Sequence, residues 1–306
     1  MRLAAGVLAL SAVWLAHAAA AAEVQAPSLG GLGLENNGRP IAIEADQGIE
    51  WEQQYRVYIA RGNVKATRGD DTLYAETLYA YYRPTGSGAT PASAGGERSK
   101  PGDPAPLADG STEVFRIEAE GNVRLATPTQ TAYGDHAVYD VDQGLLVMTG
   151  KNLRLVTPRD TVTAHDSLEW WDRKQLGVAR GDAVAIRETK RIRADVLTAT
   201  VEKLPNQASH ISRIDGSGNV LVASVDQIAR GDVGVYNVDT GIATLSRHVT
   251  LTRGESELRG QYAVVDLNQN IGRLLSAPPS ASLTGPHPPR VEGLLVPRPR
   301  PDAAAR

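Results

Sequence analysis

Histidines and carboxylates are the side chains of this sequence that could support catalysis or bind a metal. The six histidines include no two at the spacing of a helical zinc pair, and there is no cysteine. His165 and His248 occupy positions of an internal repeat that Asp or Asn fills elsewhere, which favours a turn or surface role. The carboxylates of Asp70, Asp71 and Asp135 could act as a glycosidase pair only in an open polar cleft. Walker, nucleophile-elbow and dinucleotide-binding motifs are absent, so we predict neither an enzyme nor a cofactor nor a metal site.

The charged residues and the amino terminus limit where the protein works. Lys and Arg number 32 against 35 Asp and Glu, a formal charge of −3, so nucleic acid is not a predicted partner. Arg2, an apolar run and Ala20-Ala21-Ala22 are typical of a secretory signal, which we predict to span residues 1–22. The alternative is an uncleaved anchor helix, because this segment approaches the length that spans a bilayer. An exported chain without cysteine suits the bacterial periplasm.

An internal repeat organises the remaining sequence. Its core is a glycine or polar residue, a polar residue and an apolar residue, and a small residue follows the central position twelve residues later in all six copies. The constant internal spacing predicts rigid units of about 30 residues with length changes confined to their connections. The central residues are Asn63, Asn122, Asn152, Asp182, Asn219 and His248, and the small ones are Ala75, Gly134, Ala164, Ala194, Gly231 and Gly260.

Apolar and polar residues alternate within each unit with a period of two. Tyr58, Ala60 and Val64 share one face, while Arg61 and Lys65 share the other, which predicts strands with one wet face. The Gly-Asn and Gly-Asp pairs are interpreted as bulges or turns that tolerate positive φ. Stacked units of this kind predict an elongated all-β body of at least 14 strands with open edges at both ends.

Composition divides the chain into segments. Residues 23–39 are predicted to be a flexible lead-in, and residues 40–277 to form the β-domain. Residues 84–113 are rich in Gly, Pro, Ser and Ala, so we predict a disordered insertion there. Residues 278–306 form a Pro-rich tail with a possible final strand at 291–296.

The ordered set of segments is similar to a known family. Pro40–Asp46, Val57–Val64, Leu73–Glu76, Leu145–Gly150 and Val291–Pro297 resemble the OstA-like domain of the LptA family of periplasmic lipopolysaccharide-transport proteins. The resemblance implies an elongated, twisted, open β-jellyroll of two sheets whose apolar interior shields acyl chains. It also implies head-to-tail self-association and contacts with LptC-like inner-membrane and LptD-like outer-membrane β-jellyroll partners. The implied function is a periplasmic bridge that carries lipopolysaccharide toward the outer membrane.

Inward apolar positions beside the repeat cores are the candidates for contact with the lipid A acyl chains. Plain core packing is the alternative role for these positions. The candidates are Val64, Val123, Leu125, Leu153, Leu155, Val220, Val222, Val249 and Leu251. The predicted exposed edges are the segments 41–46 and 258–266, or the tail strand 291–296.

Two other functions remain open from the sequence. One is a membrane-anchored, LptC-like relative of the same export system, which an uncleaved anchor would allow. The other is a β-repeat scaffold without transport, or a carbohydrate-active β-solenoid, which would have a filled core or a polar cleft.

Overall fold

The computed structural model describes residues 41–85, 112–202, 210–278 and 290–294. Eighteen strands and one 3-10 turn, Asp172–Lys174, make up its regular structure. Within these ranges, no helix has the length and apolar character needed to cross a bilayer. The strands are β1 Ala42–Glu44, β2 Gly48–Glu52, β3 Val57–Arg68, β4 Asp71–Pro84, β5 Thr112–Ala126, β6 Thr131–Asp140, β7 Leu145–Thr149, β8 Arg154–Val156, β9 Asp160–Thr163, β10 Ser167–Trp171, β11 Leu176–Arg187, β12 Lys190–Glu202, β13 His210–Ala223, β14 Ile228–Asn237, β15 Ile242–Arg253, β16 Ser256–Asp266, β17 Ile271–Leu275 and β18 Glu292–Leu294.

Antiparallel hydrogen bonds join all eighteen strands into one succession. The long strands are interrupted at mid-length by a register shift, as between Arg61 and Val64 in β3. Other strands are divided into two short ones: β1 and β2 both pair with β3, and β7 and β8 both pair with β6. Each strand or strand pair therefore has two arms with a bend between them.

The bends divide the succession into two facing layers. Sheet I contains β1, β8, β9 and β18 together with the arms of the long strands that pair with them. Sheet II contains β2, β7, β10 and β17 with the remaining arms. The row of bends, here called the spine, connects the sheets along one side. The turns at the far ends of the arms form the two lips on the other side.

The core lies between the two sheets and confirms the predicted all-β jellyroll. Val64 and Ala66 from sheet I pack in one buried cluster with Leu78 and Trp170 from sheet II. A second buried cluster occupies the C-terminal half and includes Val249 and Leu251. The alternation predicted from the sequence is present: Ala60 and Val64 are buried, while Lys65 is partly exposed.

Several boundaries differ from the sequence-based expectations. β4 extends to Pro84, and β5 begins at residues 112–113. The two strands pair as far as these residues, and Arg83 and Glu113 form a cross-strand ion pair at 2.8 Å. The predicted insertion therefore cannot begin at 84 or end at 113, and residues 86–111 lie outside the described residues. The predicted signal, the lead-in and much of the tail also lie outside them.

The edges of the succession are β1 with β2 at one end and β17 with β18 at the other. The prediction that residues 258–266 form an edge is wrong, because β17 pairs with Tyr262–Asp266 and β18 pairs with Glu257–Arg259. Glu292–Leu294 instead lies at the edge of sheet I.

Candidate functional site

The spine is built from the repeated Gly-Asn and Gly-Asp pairs. Both residues of these pairs have positive φ, for example +80° at Gly121 and 46° at Asn122. Two successive left-handed residues insert one extra residue into the strand and turn it from sheet II into sheet I. The same conformation recurs at residues 62–63, 181–182, 218–219 and 247–248.

Polar side chains connect neighbouring units along the outside of the spine. Asn122 Nδ2 donates to Glu76 Oε1 at 2.6 Å, and Asn219 Nδ2 donates to Asp195 at 3.0 Å. Each acceptor directly follows the small residue of the preceding unit. The sequence analysis missed these bonds, although the constant spacing of twelve residues placed both partners in the repeat.

The small residues pack inside the spine, where the sheets are closest. A Cβ at Gly134 would lie 3.0 Å from Thr149 O and 3.1 Å from Leu153 Cδ2. A Cβ at Gly260 would lie 2.9 Å from Leu274 Cγ. The repeat therefore requires small residues at these two positions, because neighbouring atoms already occupy the space beside them.

All nine predicted groove residues are buried between the sheets. They divide between the two core clusters, and seven of them have no part in the wall of the cavity described below. The two that line that cavity are Leu125 and Leu155.

An apolar cavity of about 100 Å³ lies between the sheets in the middle of the chain. Leu125, Leu155 and Val162 line it from sheet I, and Leu146 and Trp170 line it from sheet II. Sequence reasoning missed most of this wall. A detectable signal was the set of small residues on facing arms, Ala132, Gly177, Ala179, Ala185 and Ala199.

One wall of the cavity is held by a hydrogen-bonded carboxylate. Trp170 is 1% exposed, and its indole Nε1 donates to the Asp172 carboxylate. Tyr139 donates its hydroxyl proton to the other Asp172 oxygen at 2.9 Å. A buried tryptophan with its N–H satisfied is a rigid apolar surface, so this wall is preformed.

The lip of sheet I above the cavity is polar. Thr127 and Gln130 line the cavity where it reaches this lip. Arg187 lies two residues beyond Ala185 and donates from Nε and Nη2 to both carboxylate oxygens of Asp160, at 2.6 and 2.7 Å. The pKa of the Arg187 guanidinium is raised, chiefly by this hydrogen bond, so the ion pair persists at neutral pH. The site is thus apolar between the sheets and polar at its opening.

Among the candidate catalytic side chains, Asp70 and Asp71 lie at the β3–β4 turn on the lip of sheet I, and the others lie at the spine or on the outer surface. His165 and His248 have side chains 85% and 84% exposed, and His248 contacts Asp232 at 2.7 Å. The Asp135 carboxylate accepts a hydrogen bond from the backbone N–H of Lys151 at 2.8 Å, in a structural role at the spine.

One outer-surface group has the residue types of a metal site. Glu118, Glu120 and His136 each offer a ligand atom, all within 4.8 Å of one another. Glu118 already contacts His136 at 2.9 Å and Arg116 at 3.2 Å. Burial raises the pKa of Glu118, but these two hydrogen bonds outweigh that effect and leave its pKa below the usual range. The Glu118 carboxylate is therefore held by Arg116 and His136, and these surface contacts account for the grouping of the three side chains.

Two known proteins are similar to parts of this chain. An uncharacterized protein of Rhizobium meliloti (strain 1021) is 28% identical over 149 residues, which are 48% of this chain and 70% of that protein. The crystal structure of LptH, the LptA-homologous periplasmic component of the lipopolysaccharide transport device of Pseudomonas aeruginosa, aligns with a TM-score of 0.38 and 21% identity. That alignment covers 45% of this chain and 95% of LptH.

A family model describes most of the β-domain. The model for the LptA and LptD N-terminal domain lipopolysaccharide transport proteins matches residues 42–167 and again residues 161–271. The two matches meet at the middle of the chain, where β9 and β10 lie and where the cavity is found. The chain therefore belongs to the LptA/LptD N-terminal domain family of lipopolysaccharide transport proteins.

Proposed function

We propose that this protein is a periplasmic carrier that holds acyl chains of lipopolysaccharide in the cavity between its two sheets. The observation that carries the proposal is the apolar cavity of about 100 Å³, lined from both sheets, with a polar lip. An amphiphile with acyl chains between the sheets and a sugar headgroup at the lip matches this distribution of polarity. Membership of a lipopolysaccharide transport family supports the choice of lipid.

The energetic need for such a carrier is large. Exposing one acyl chain of a dozen carbons to water costs on the order of 10 kcal/mol, at about 0.8 kcal/mol for each CH₂. A carrier must lower this cost without binding one position so tightly that the lipid stops. Contacts with aliphatic side chains, such as Leu125 and Leu155, provide this kind of broad, non-directional affinity.

The nine groove candidates have two different roles under this proposal. Leu125 and Leu155 line the cavity and are proposed to contact acyl chains there. The other seven are proposed to contact lipid only after the sheets move apart, because they are now packed within the two core clusters. Those seven are Val64, Val123, Leu153, Val220, Val222, Val249 and Leu251.

The two edges of the succession support a bridging role. β2 and β17 each have one side that no strand of this chain occupies among the described residues. A strand from another chain can satisfy the unpaired N–H and C=O groups of such an edge. We propose head-to-tail joining through these edges, to further copies and to LptC-like and LptD-like partners, so that the interiors connect from inner to outer membrane.

The test is site-specific photo-crosslinking to purified lipopolysaccharide. A photoreactive amino acid is placed at Leu155, which lines the cavity, and at Arg154, its exposed neighbour on β8. The proposal predicts adducts at Leu155 and few at Arg154. A second pair, Leu125 and Arg124 on β5, repeats the comparison on another strand.

Equal labelling at the inward and outward positions of a folded protein would reject lipid carriage between the sheets. Adducts confined to Arg154 and Arg124 would place the lipid on the outer face of sheet I. Circular dichroism of each substituted protein establishes that its β-structure is intact.

A further inference from the structure

Side-chain hydrogen bonds join the two lips in the C-terminal half of the molecule. Lys190 begins β12 beside the β11–β12 turn on the lip of sheet I, and its Nζ donates to Asn268 Oδ1 at 3.0 Å. Asn268 belongs to the β16–β17 turn on the lip of sheet II. The two residues are 78 positions apart in the chain. This bond therefore spans the opening between the sheets.

A second contact lies beside the first. Ser224 Oγ, in the β13–β14 turn of sheet I, donates to Asn270 Oδ1 at 3.1 Å, and Asn270 Nδ2 approaches Asp226 Oδ2 at 3.5 Å. Gln227 follows in the same turn and is 7% exposed. The side-chain amide of Gln227 lies against the backbone of Gly272. A Cβ built on Gly272 would lie 2.3 Å from Gln227 Nε2. The lips are thus in direct contact over two successive turns of sheet I.

The interior behind these contacts is filled. Val249, Leu251, Ala263 and Val265 are at most 5% exposed and belong to one packed cluster. The cavity, by contrast, is lined by residues of β5 to β13, whereas the contacts reach the β16–β17 turn at the C-terminal end of the succession. A lipid moving from the cavity to the C-terminal edge must therefore separate side chains that now touch.

We propose that the contacts of Lys190 and Ser224 with Asn268 and Asn270 form a clasp that closes the C-terminal half of the lumen and opens for lipid to pass. This inference rests on the proposed lipid carriage. Each bond is partly or fully exposed, so water can replace it and the clasp opens at low cost. A headgroup too large to fit between the sheets can pass the lips only when these bonds break. The clasp thereby retains a lipid in the cavity until the sheets part.

The natural absence of cysteine makes the clasp directly testable. Lys190→Cys with Asn268→Cys places one thiol on each lip, and a short bis-methanethiosulfonate bridges them reversibly. Lys190→Cys with Ser224→Cys is the matched control, because both residues lie on the lip of sheet I and a bridge between them leaves the sheets free to separate. A photoreactive residue at Leu155 or Leu251 reports lipopolysaccharide in the cavity or beyond the clasp.

Bridging the two lips is expected to reduce adducts at Leu251 by about fivefold or more, while adducts at Leu155 change less than about twofold. Reductant should restore the Leu251 adducts in the same sample, and the control pair should show no such change. Unlinked Lys190→Gln with Ser224→Ala should increase labelling at Leu251.

Two outcomes distinguish failure of the clasp from failure of the proposed lipid carriage. Equal labelling of Leu251 in the bridged and reduced protein overturns the clasp and leaves lipid carriage standing. Loss of labelling at both Leu155 and Leu251 in the reduced protein rejects lipid carriage itself and the clasp with it.

Discussion

Gly150 tests whether the bend at the spine depends on close backbone approach. It lies between β7 and β8 with φ +143°, a conformation that residues with a Cβ rarely adopt. A Cβ at this position would lie 2.5 Å from the backbone nitrogen of Asp135. The Asp135 carboxylate accepts a hydrogen bond from Lys151 N at 2.8 Å, so displacement of this backbone also breaks a bond to a charged group.

These two effects set how far Gly150→Ala lowers the free energy of unfolding. The unfavourable backbone conformation costs about 1–3 kcal/mol, and the lost bond to a carboxylate costs about 1.5–3 kcal/mol. We expect a decrease of about 2.5–6 kcal/mol in the free energy of unfolding. Gly254→Ala is the matched control, because Gly254 also has positive φ, +60°, but nothing lies within 4 Å of its Cβ position. Its expected cost is about 1 kcal/mol.

Urea denaturation of both variants and the unaltered protein measures the difference. The midpoint should fall much further for Gly150→Ala than for Gly254→Ala, with similar m-values. Equal, small losses in the two variants would show that the contact with Asp135 does not constrain the bend, and the account of the spine would be wrong.

Three further predictions address the spine, the cavity and the ion pairs. Asn122→Ala should lower the free energy of unfolding by about 1–2 kcal/mol, because the change removes a hydrogen bond between neighbouring units and a residue that tolerates positive φ. Urea denaturation measures this loss of stability. Ala185→Phe should fill the cavity and reduce bound lipopolysaccharide per protein by about threefold or more, whereas outward Ile186→Phe should leave it unchanged, as assayed by co-purification. Burial raises the pKa of Glu169, but the hydrogen bonds from Arg180, Trp171 and Ser167 and the charge of Arg180 together outweigh burial and lower the net pKa. The stability that Glu169 contributes is therefore complete above its usual pKa of about 4.3 and is lost as pH falls through the lower folded value. The stability difference between the unaltered protein and Glu169→Gln should therefore shrink from pH 7 to pH 3, and a difference that grows would contradict the sign.

The repeat and the strand pattern were predictable because both follow from local rules. Alternation of apolar and polar residues fixes which face of a strand is buried, and the Gly-Asn pair fixes where the strand bends. The family resemblance was confirmed by the match to the LptA and LptD N-terminal domain family. Each of these features depends on residues close together in the chain.

The position of the cavity was not predictable in the same way. Val64, Val123 and Val220 directly follow a bend, so they lie at the apex where the sheets are closest and the core is filled. Leu125 and Leu155 are farther along their arms, where the sheets have diverged. The volume at that point depends on the separation of two sheets and on small residues such as Ala179, which are distant in sequence.

The clasp was invisible to sequence reasoning for a related physical reason. Lys190, Ser224, Asn268 and Asn270 are ordinary turn residues, and nothing in the local pattern pairs a turn of sheet I with a turn of sheet II. Their contact depends on how far the C-terminal half of the body closes, which is a property of the whole fold.

The measurement closest to the central claim is a set of intermolecular nuclear Overhauser effects between lipopolysaccharide and methyl groups of the protein. In deuterated protein with protonated Leu and Val methyls, the methyls of Leu125, Leu146 and Leu155 should show cross-peaks to acyl-chain protons. The methyls of Val225 and Leu294, which are 76% and 66% exposed, should show none. Cross-peaks restricted to the exposed methyls, with the lipid bound, would contradict acyl-chain binding between the sheets.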